Sequence, residues 1–145
     1  ISPWLSRLVP GDKVEVVGPY GDFFISGQQK KKYIFVATGV GIGPFLSFIR
    51  TWPDLDYTLV HGIRFKEDLA LAPGIDPDRY IACITREEGG AFKGRVTDYL
   101  SDYTIPDDVL CYLCGNPYML NQVEQLLGEK GVSETRIFKE PYYTY

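Results

Sequence analysis

Tyr33-Ile34-Phe35-Val36-Ala37-Thr38-Gly39-Val40-Gly41-Ile42-Gly43-Pro44-Phe45 is the stretch on which the fold turns. It opens with an unbroken apolar run, the mark of a strand buried on both faces of a parallel sheet. Three alternating glycines and a proline follow. Phe45, Phe48, Ile49 and Trp52 then stand at i, i+3, i+4 and i+7, the period of an amphipathic helix. The segment therefore predicts a buried strand, a tight turn and a helix in direct succession.

Similar apolar runs recur downstream at Tyr57–Val60, Tyr80–Ile84, Val109–Leu113 and Arg136–Phe138, separated by longer connections. Met119, Leu120, Val123, Leu126 and Leu127 form one helical stripe that stops near Gly131, a residue suited to a left-handed C′ position. Strands separated by crossovers predict an α/β fold whose parallel sheet is covered by helices on both faces. Upstream the pattern differs. Pro10-Gly11-Asp12 and Gly18-Pro19-Tyr20-Gly21 bracket the alternating Lys13-Val14-Glu15-Val16-Val17, which predicts a half-buried strand of an antiparallel sheet. The change of style near Gly27 to Lys32 divides a β-rich piece, residues 1–28, from an α/β domain, residues 29–145.

The 145 residues are 45% hydrophobic and 23% charged, values of an ordinary globular domain that exclude a disordered or coiled-coil chain. A net charge of −4 argues against a broadly basic nucleic-acid or membrane surface but leaves room for a local basic pocket. No apolar run approaches the roughly 20 residues of a membrane span, so a soluble, cytoplasmic protein is expected. Cys83, Cys111 and Cys114 lie in or beside apolar runs and are expected as reduced, buried thiols with no metal site. The chain starts at Ile1 and its one methionine is Met119, which suggests a piece of a longer protein.

Ligands of parallel sheets gather at the carboxyl ends of the strands. At the first such end, Thr38, Gly39, Gly41, Gly43 and Pro44 lead into a helix whose free N–H groups suit a phosphate. The spacing is G-x-G-x-G-P, not G-x-G-x-x-G, so an ordinary Rossmann dehydrogenase is a poor match, and a plain structural turn is the alternative. After the second strand, Val60-His61-Gly62-Ile63-Arg64 places Arg64 where an NAD-preferring fold carries an acid. Thr85-Arg86 ends the third strand, and Lys93-Gly94-Arg95 follows. Three arginines near strand ends of an acidic chain suggest a pocket for an additional phosphate, hence NADP(H) with NAD(H) possible; scattered, solvated arginines are the alternative. Lys30, Lys31 and Lys32 precede a strand and read as a solvated edge. His61 reads as a satisfied strand-end side chain, and Cys114 as a buried thiol without an activating base.

In their order, Gly18-Pro19-Tyr20-Gly21, Thr38 to Pro44, Val60 to Arg64, Thr85-Arg86-Glu87, Gly94-Arg95-Val96 and Cys114-Gly115-Asn116-Pro117 resemble the ferredoxin–NADP reductase family. The resemblance implies a flavin-binding β-barrel joined to a five-stranded parallel sheet of order 3-2-1-4-5, with this chain holding the barrel's end and the whole sheet. Ser2 is similar to the serine closing the family's flavin-pyrophosphate motif, whereas the family's Arg-x-Tyr-Ser/Thr motif is absent. By the same resemblance Gly39, Gly41, Gly43 and Pro44 hold the pyrophosphate and nicotinamide, and Cys114, Gly115, Asn116 and Pro117 flank the nicotinamide ring. Arg64, Arg86 and Arg95 meet the 2′-phosphate. Leu71 stands about where some relatives place a tyrosine beside the adenosine.

The ending Glu140-Pro141-Tyr142-Tyr143-Thr144-Tyr145 resembles the family's aromatic terminus beside the flavin, with Tyr143 and Tyr145 as the candidate contacts; a frayed surface tail is the other reading. The implied reaction is hydride transfer between NADPH and FAD, then single-electron transfer to an iron–sulfur or haem protein. Cys114 is a ring-positioning contact in that scheme, and the piece by itself is expected to bind nucleotide without turnover. A non-catalytic electron-transfer or regulatory partner that keeps the fold and binds nucleotide weakly is the alternative.

Overall fold

A computed structural model describes residues 2–18, 20–25, 31–72 and 74–142. Among these residues there are six strands: β1 (Lys32–Thr38), β2 (Asp56–Ile63), β3 (Tyr80–Ile84), β4 (Phe92–Lys93), β5 (Leu110–Gly115) and β6 (Ile137–Pro141). They form one sheet of order β4-β3-β2-β1-β5-β6, and every neighbouring pair is parallel. With β4 set aside, the order is the 3-2-1-4-5 expected above. The expectation of five strands is corrected by β4, two residues that pair Phe92 with Cys83 and Lys93 with Ile84. A strand that short has no period to read. It is held instead by the Gly94 N–H donating to the Ile84 carbonyl and by Phe92 meeting the edge of the Tyr99 ring.

Four α-helices accompany the sheet among the described residues: α1 (Ser2–Leu5), α2 (Gly43–Thr51), α3 (Val96–Asp102) and α4 (Pro117–Glu129). The alternation along β1 divides the core. Ile34 and Val36 pack with Val96, Leu100, Leu120, Val123 and Leu127 of α3 and α4. Tyr33, Phe35 and Ala37 pack on the other face with Phe45 and Phe48 of α2. The rings of Phe35 and Phe45 stack at 4.8 Å between centroids. Helix α4 stops as its sequence dictates. Gly131 has φ +87°, the Val132 N–H donates to the Leu127 carbonyl and the Gly131 N–H to that of Gly128, the paired bonds of a Schellman motif.

The strand expected at Lys13–Val17 does not form. Val14, Val16 and Val17 are 49, 85 and 68% exposed, and among the described residues no strand lies beside them. A pleated segment with no partner leaves its backbone groups to water, so alternation alone does not hold it extended. Further along, Phe23 and Ile25 join the α2-side core, and the Tyr112 hydroxyl donates to the Phe24 carbonyl.

Candidate functional site at the carboxyl edge of the sheet

Strands β1 and β5 lie side by side, yet the chain leaves β1 toward β2 and leaves β5 toward β6. This is the point of an open parallel sheet where a crevice forms. Here the glycine segment makes a single 3-10 turn, Gly39–Ile42, that runs without a break into α2 with Pro44 in its first turn. Gly39 has φ +52°. Gly41 lies against the end of β5, where an added Cβ would stand 2.5 Å from the Cys114 carbonyl oxygen and 2.9 Å from the Gly115 Cα. By contrast, a Cβ at Gly39 or Gly43 would meet nothing within 4 Å. Gly41 is therefore required for contact between two turns, while Gly39 and Gly43 leave open space beside the start of α2.

The second turn answers the first. Gly115 has φ +143°, and a Cβ there would stand 2.2 Å from the Thr38 Oγ1. The same Oγ1 accepts the Asn116 backbone N–H at 3.0 Å. Asn116 also caps α4, its Oδ1 accepting the Tyr118 N–H at 2.8 Å, with Pro117 as the first helical residue. Two helices thus begin at adjacent strand ends that are bonded to one another.

Cys114 is completely buried, within the α2-side core. Burial and then Glu140 push its thiol up to about 11, so it stays protonated near neutrality. The C-x-x-C spacing of Cys111 and Cys114, passed over in the sequence reading, is inert. The strand sends Cys111 into the core beneath α3 and α4 and Cys114 into the opposite one, and all three cysteines are free. Among the described residues no cluster of three His, Cys, Asp or Glu side chains could hold a metal. Strand β6 delivers the tail to the same turn, where the Tyr142 N–H donates to the Gly115 carbonyl at 2.7 Å. Tyr143 and Tyr145 lie outside the described residues, as do Lys30 and the side chains of Ser2 and Leu71.

His61 is fully buried and bonded through both ring nitrogens, Nε2 to the Gly39 carbonyl and Nδ1 to the Tyr80 hydroxyl, each at 2.8 Å. A carbonyl can only accept, so Nε2 carries the hydrogen and Nδ1 accepts from Tyr80. Burial pushes the imidazole below its ordinary value, against smaller opposing effects from the Gly39 carbonyl and Asp68. The sequence marked His61 as satisfied but did not reveal its partners.

The three arginines come to one side of the crevice. Arg64 and Arg86 follow β2 and β3 and are joined by the Arg86 N–H donating to the Arg64 carbonyl at 3.1 Å. Arg95 follows β4 and precedes α3. All three are exposed, and among the described residues none forms an ion pair. The acids nearby are engaged elsewhere. Asp68 accepts the Arg64 and Phe65 backbone N–H groups, Asp98 accepts that of Arg95, Glu87 accepts that of Lys66, and Glu88 pairs with Lys93. Phe65, which sequence reading missed, lies beneath the Arg86 guanidinium at 5.8 Å.

This arrangement is that of a nucleotide-binding α/β domain, and the chain belongs to the oxidoreductase NAD-binding domain family, which matches residues 35–125. It is 28% identical to one component of the Na(+)-translocating NADH-quinone reductase of Psychrobacter cryohalolentis, over 98% of this chain and 39% of that protein. It is 26% identical to the reductase component of propane 2-monooxygenase from Mycolicibacterium smegmatis, covering 91% of this chain and 43% of the relative. The chain thus spans about two fifths of these relatives' length. Its fold matches an Amycolatopsis cytochrome P450 reductase with TM-score 0.75 and 25% identity, over 93% of this chain and 45% of the other. Ferredoxin–NADP+ reductase of Plasmodium falciparum matches with TM-score 0.72 and 18% identity, over 97% and 65% respectively. No helix among the described residues is long and apolar enough to cross a membrane.

Proposed function

We infer that this chain is the NADP(H)-binding domain of a flavin-dependent oxidoreductase in which hydride passes between NADPH and FAD and electrons continue to an iron–sulfur or haem protein. The observation that carries the reading is the crevice between β1 and β5, where Gly41 and Thr38 lock onto Cys114, Gly115 and Asn116. The open space at Gly39 and Gly43 beside the start of α2 fits a pyrophosphate, which backbone N–H groups at a helix start hold well. Three guanidinium groups without acidic partners fit a 2′-phosphate. Relatives named as a reductase component and as an electron transfer component of oxygenases favour onward electron transfer.

When bound, the nicotinamide supplies the hydride; the protein orients it and excludes water. Gly115, Asn116 and Pro117 form the wall beside the ring, and Cys114, buried and protonated behind them, contributes shape, not a nucleophile. By the family resemblance residues 1–28 correspond to the end of a flavin-binding barrel, although among the described residues they form no strand, and residues 29–145 to the nucleotide domain. The Arg-x-Tyr-Ser/Thr flavin motif does not occur in these residues, and the chain alone is expected to bind nucleotide without oxidising it. Calorimetric titration with NADPH and NADH tests the reading. Saturable binding with NADPH preferred is expected, and binding of neither overturns it.

A further inference from the structure

His61 is the one polar or charged residue buried among the described residues, and none of its surface reaches solvent. Its two hydrogen bonds join three segments: the turn after β1, strand β2 and the start of β3. The turn needs such a hold. Gly39 has φ +52° and nothing beyond its chain neighbours within 4 Å of where its Cβ would be, so no side chain of its own restrains the peptide that follows it, which opens the 3-10 turn Gly39–Ile42. The His61 Nε2–H fixes that peptide through the Gly39 carbonyl. In a planar trans peptide the N–H points opposite to the C=O. Holding the Gly39 carbonyl toward β2 therefore turns the Val40 N–H away from β2.

The ring that does this is itself held. Tyr80 keeps its hydrogen, its hydroxyl being pushed up to about 12 by burial and then by Cys83, and it donates to Nδ1. The imidazole is neutral in one tautomer and cannot rotate without breaking both bonds.

We propose that His61, braced by Tyr80, is a positioning residue for the nucleotide turn: it sets the Gly39–Val40 peptide so that the Val40 N–H is presented to the pyrophosphate of a bound dinucleotide. The proposal rests on the nucleotide-binding reading above. It assigns His61 no contact with the ligand and no proton transfer.

The test is calorimetric titration of the whole chain and its variants with NADPH, beside urea unfolding of each. His61→Leu, which removes the donor, is expected to weaken binding about 10-fold or more, the cost of one well-aimed hydrogen bond to a charged group. His61→Gln, whose amide N–H reaches toward the Gly39 carbonyl, is expected to recover binding to within about 3-fold of the parent. Tyr80→Phe should fall between them. A merely structural role predicts loss of stability in the two His61 variants with affinity unchanged, and that result overturns the proposal, as does equal weakening by Leu and Gln. A parent chain that binds neither NADPH nor NADH brings down the nucleotide reading and this inference with it; a parent that binds beside an unaffected His61→Leu brings down this inference alone. Should the variants fail to fold, ring-nitrogen NMR of the parent decides. The His61 Nε2–H signal is expected to shift on adding NADPH, and an unmoved signal overturns the proposal.

Discussion

Gly41 touches the end of β5 so closely that a single added carbon would stand 2.5 Å from the Cys114 carbonyl oxygen. The obstacle is backbone on both sides, which cannot turn aside as a flexible side chain can. Gly41→Ala is therefore expected to push the two turns apart and lower stability by about 1–3 kcal/mol, the usual cost of overpacking, with weaker nucleotide binding. Gly43→Ala is the contrast. Its site is open and its backbone helical, φ −50° and ψ −50°, so loss of unfolded-state freedom should stabilise by up to ~1 kcal/mol. Urea midpoints of the two variants measure the difference; equal effects would show that the contact is not tight.

Arg64 and Arg86 leave strand ends joined by a backbone hydrogen bond, and neither guanidinium has an acidic partner among the described residues. Replacing either by alanine should weaken NADPH binding by about 10- to 100-fold, as expected for a charge-assisted hydrogen bond worth roughly 1.5–3 kcal/mol. NADH, lacking the 2′-phosphate, should be little affected. Calorimetry with both nucleotides reads the ratio, and equal losses for the two would place these arginines elsewhere than at the 2′-phosphate.

The thiols should be silent in the folded protein. Burial is the leading cause that pushes Cys83 and Cys111 up to about 12 and Cys114 up to about 11, so none is a thiolate near pH 8. A chromogenic disulfide reagent is expected to find no reactive thiol in the native chain and all 3 cysteines after denaturation. Rapid native reaction at Cys114 would mean that the β5 turn opens readily.

His61 makes stability sensitive to acid. Its folded pKa lies below the ordinary 6.5, so on acidification the unfolded chain takes up a proton that the folded ring refuses. The stabilisation is complete above the unfolded value and is lost as pH falls through it toward the folded one. Tyr80, Gly39 and Asp68 are the groups facing the ring, and the Asp68 charge opposes the shift without reversing it. Between about pH 7.5 and 5.5 the urea midpoint of the parent should therefore drop more than that of His61→Gln. Parallel curves would show that the ring titrates normally.

Local chemistry made much of this legible in the chain itself. The apolar run of β1, the glycines and proline that turn it into α2, and the stripe of α4 ending at Gly131 each depend on residues a few positions apart, so their patterns survive in one dimension. Lys13–Val17 was misread because alternation describes a strand that has a neighbour and says nothing about whether one exists. Phe92–Lys93 was missed because two residues carry no period.

Tertiary structure alone decided the site's internal bonds. Thr38 Oγ1 meets the Asn116 N–H across 78 residues, and His61 finds Gly39 and Tyr80 across 22 and 19. No pattern in the sequence pairs them, because each partner is a backbone group or a hydroxyl that any strand order could have placed elsewhere. The parallel order that puts β5 beside β1 and β3 beside β2 brings them within hydrogen-bond reach, and at His61 the cost of leaving a buried polar group unpaired holds its two bonds in place.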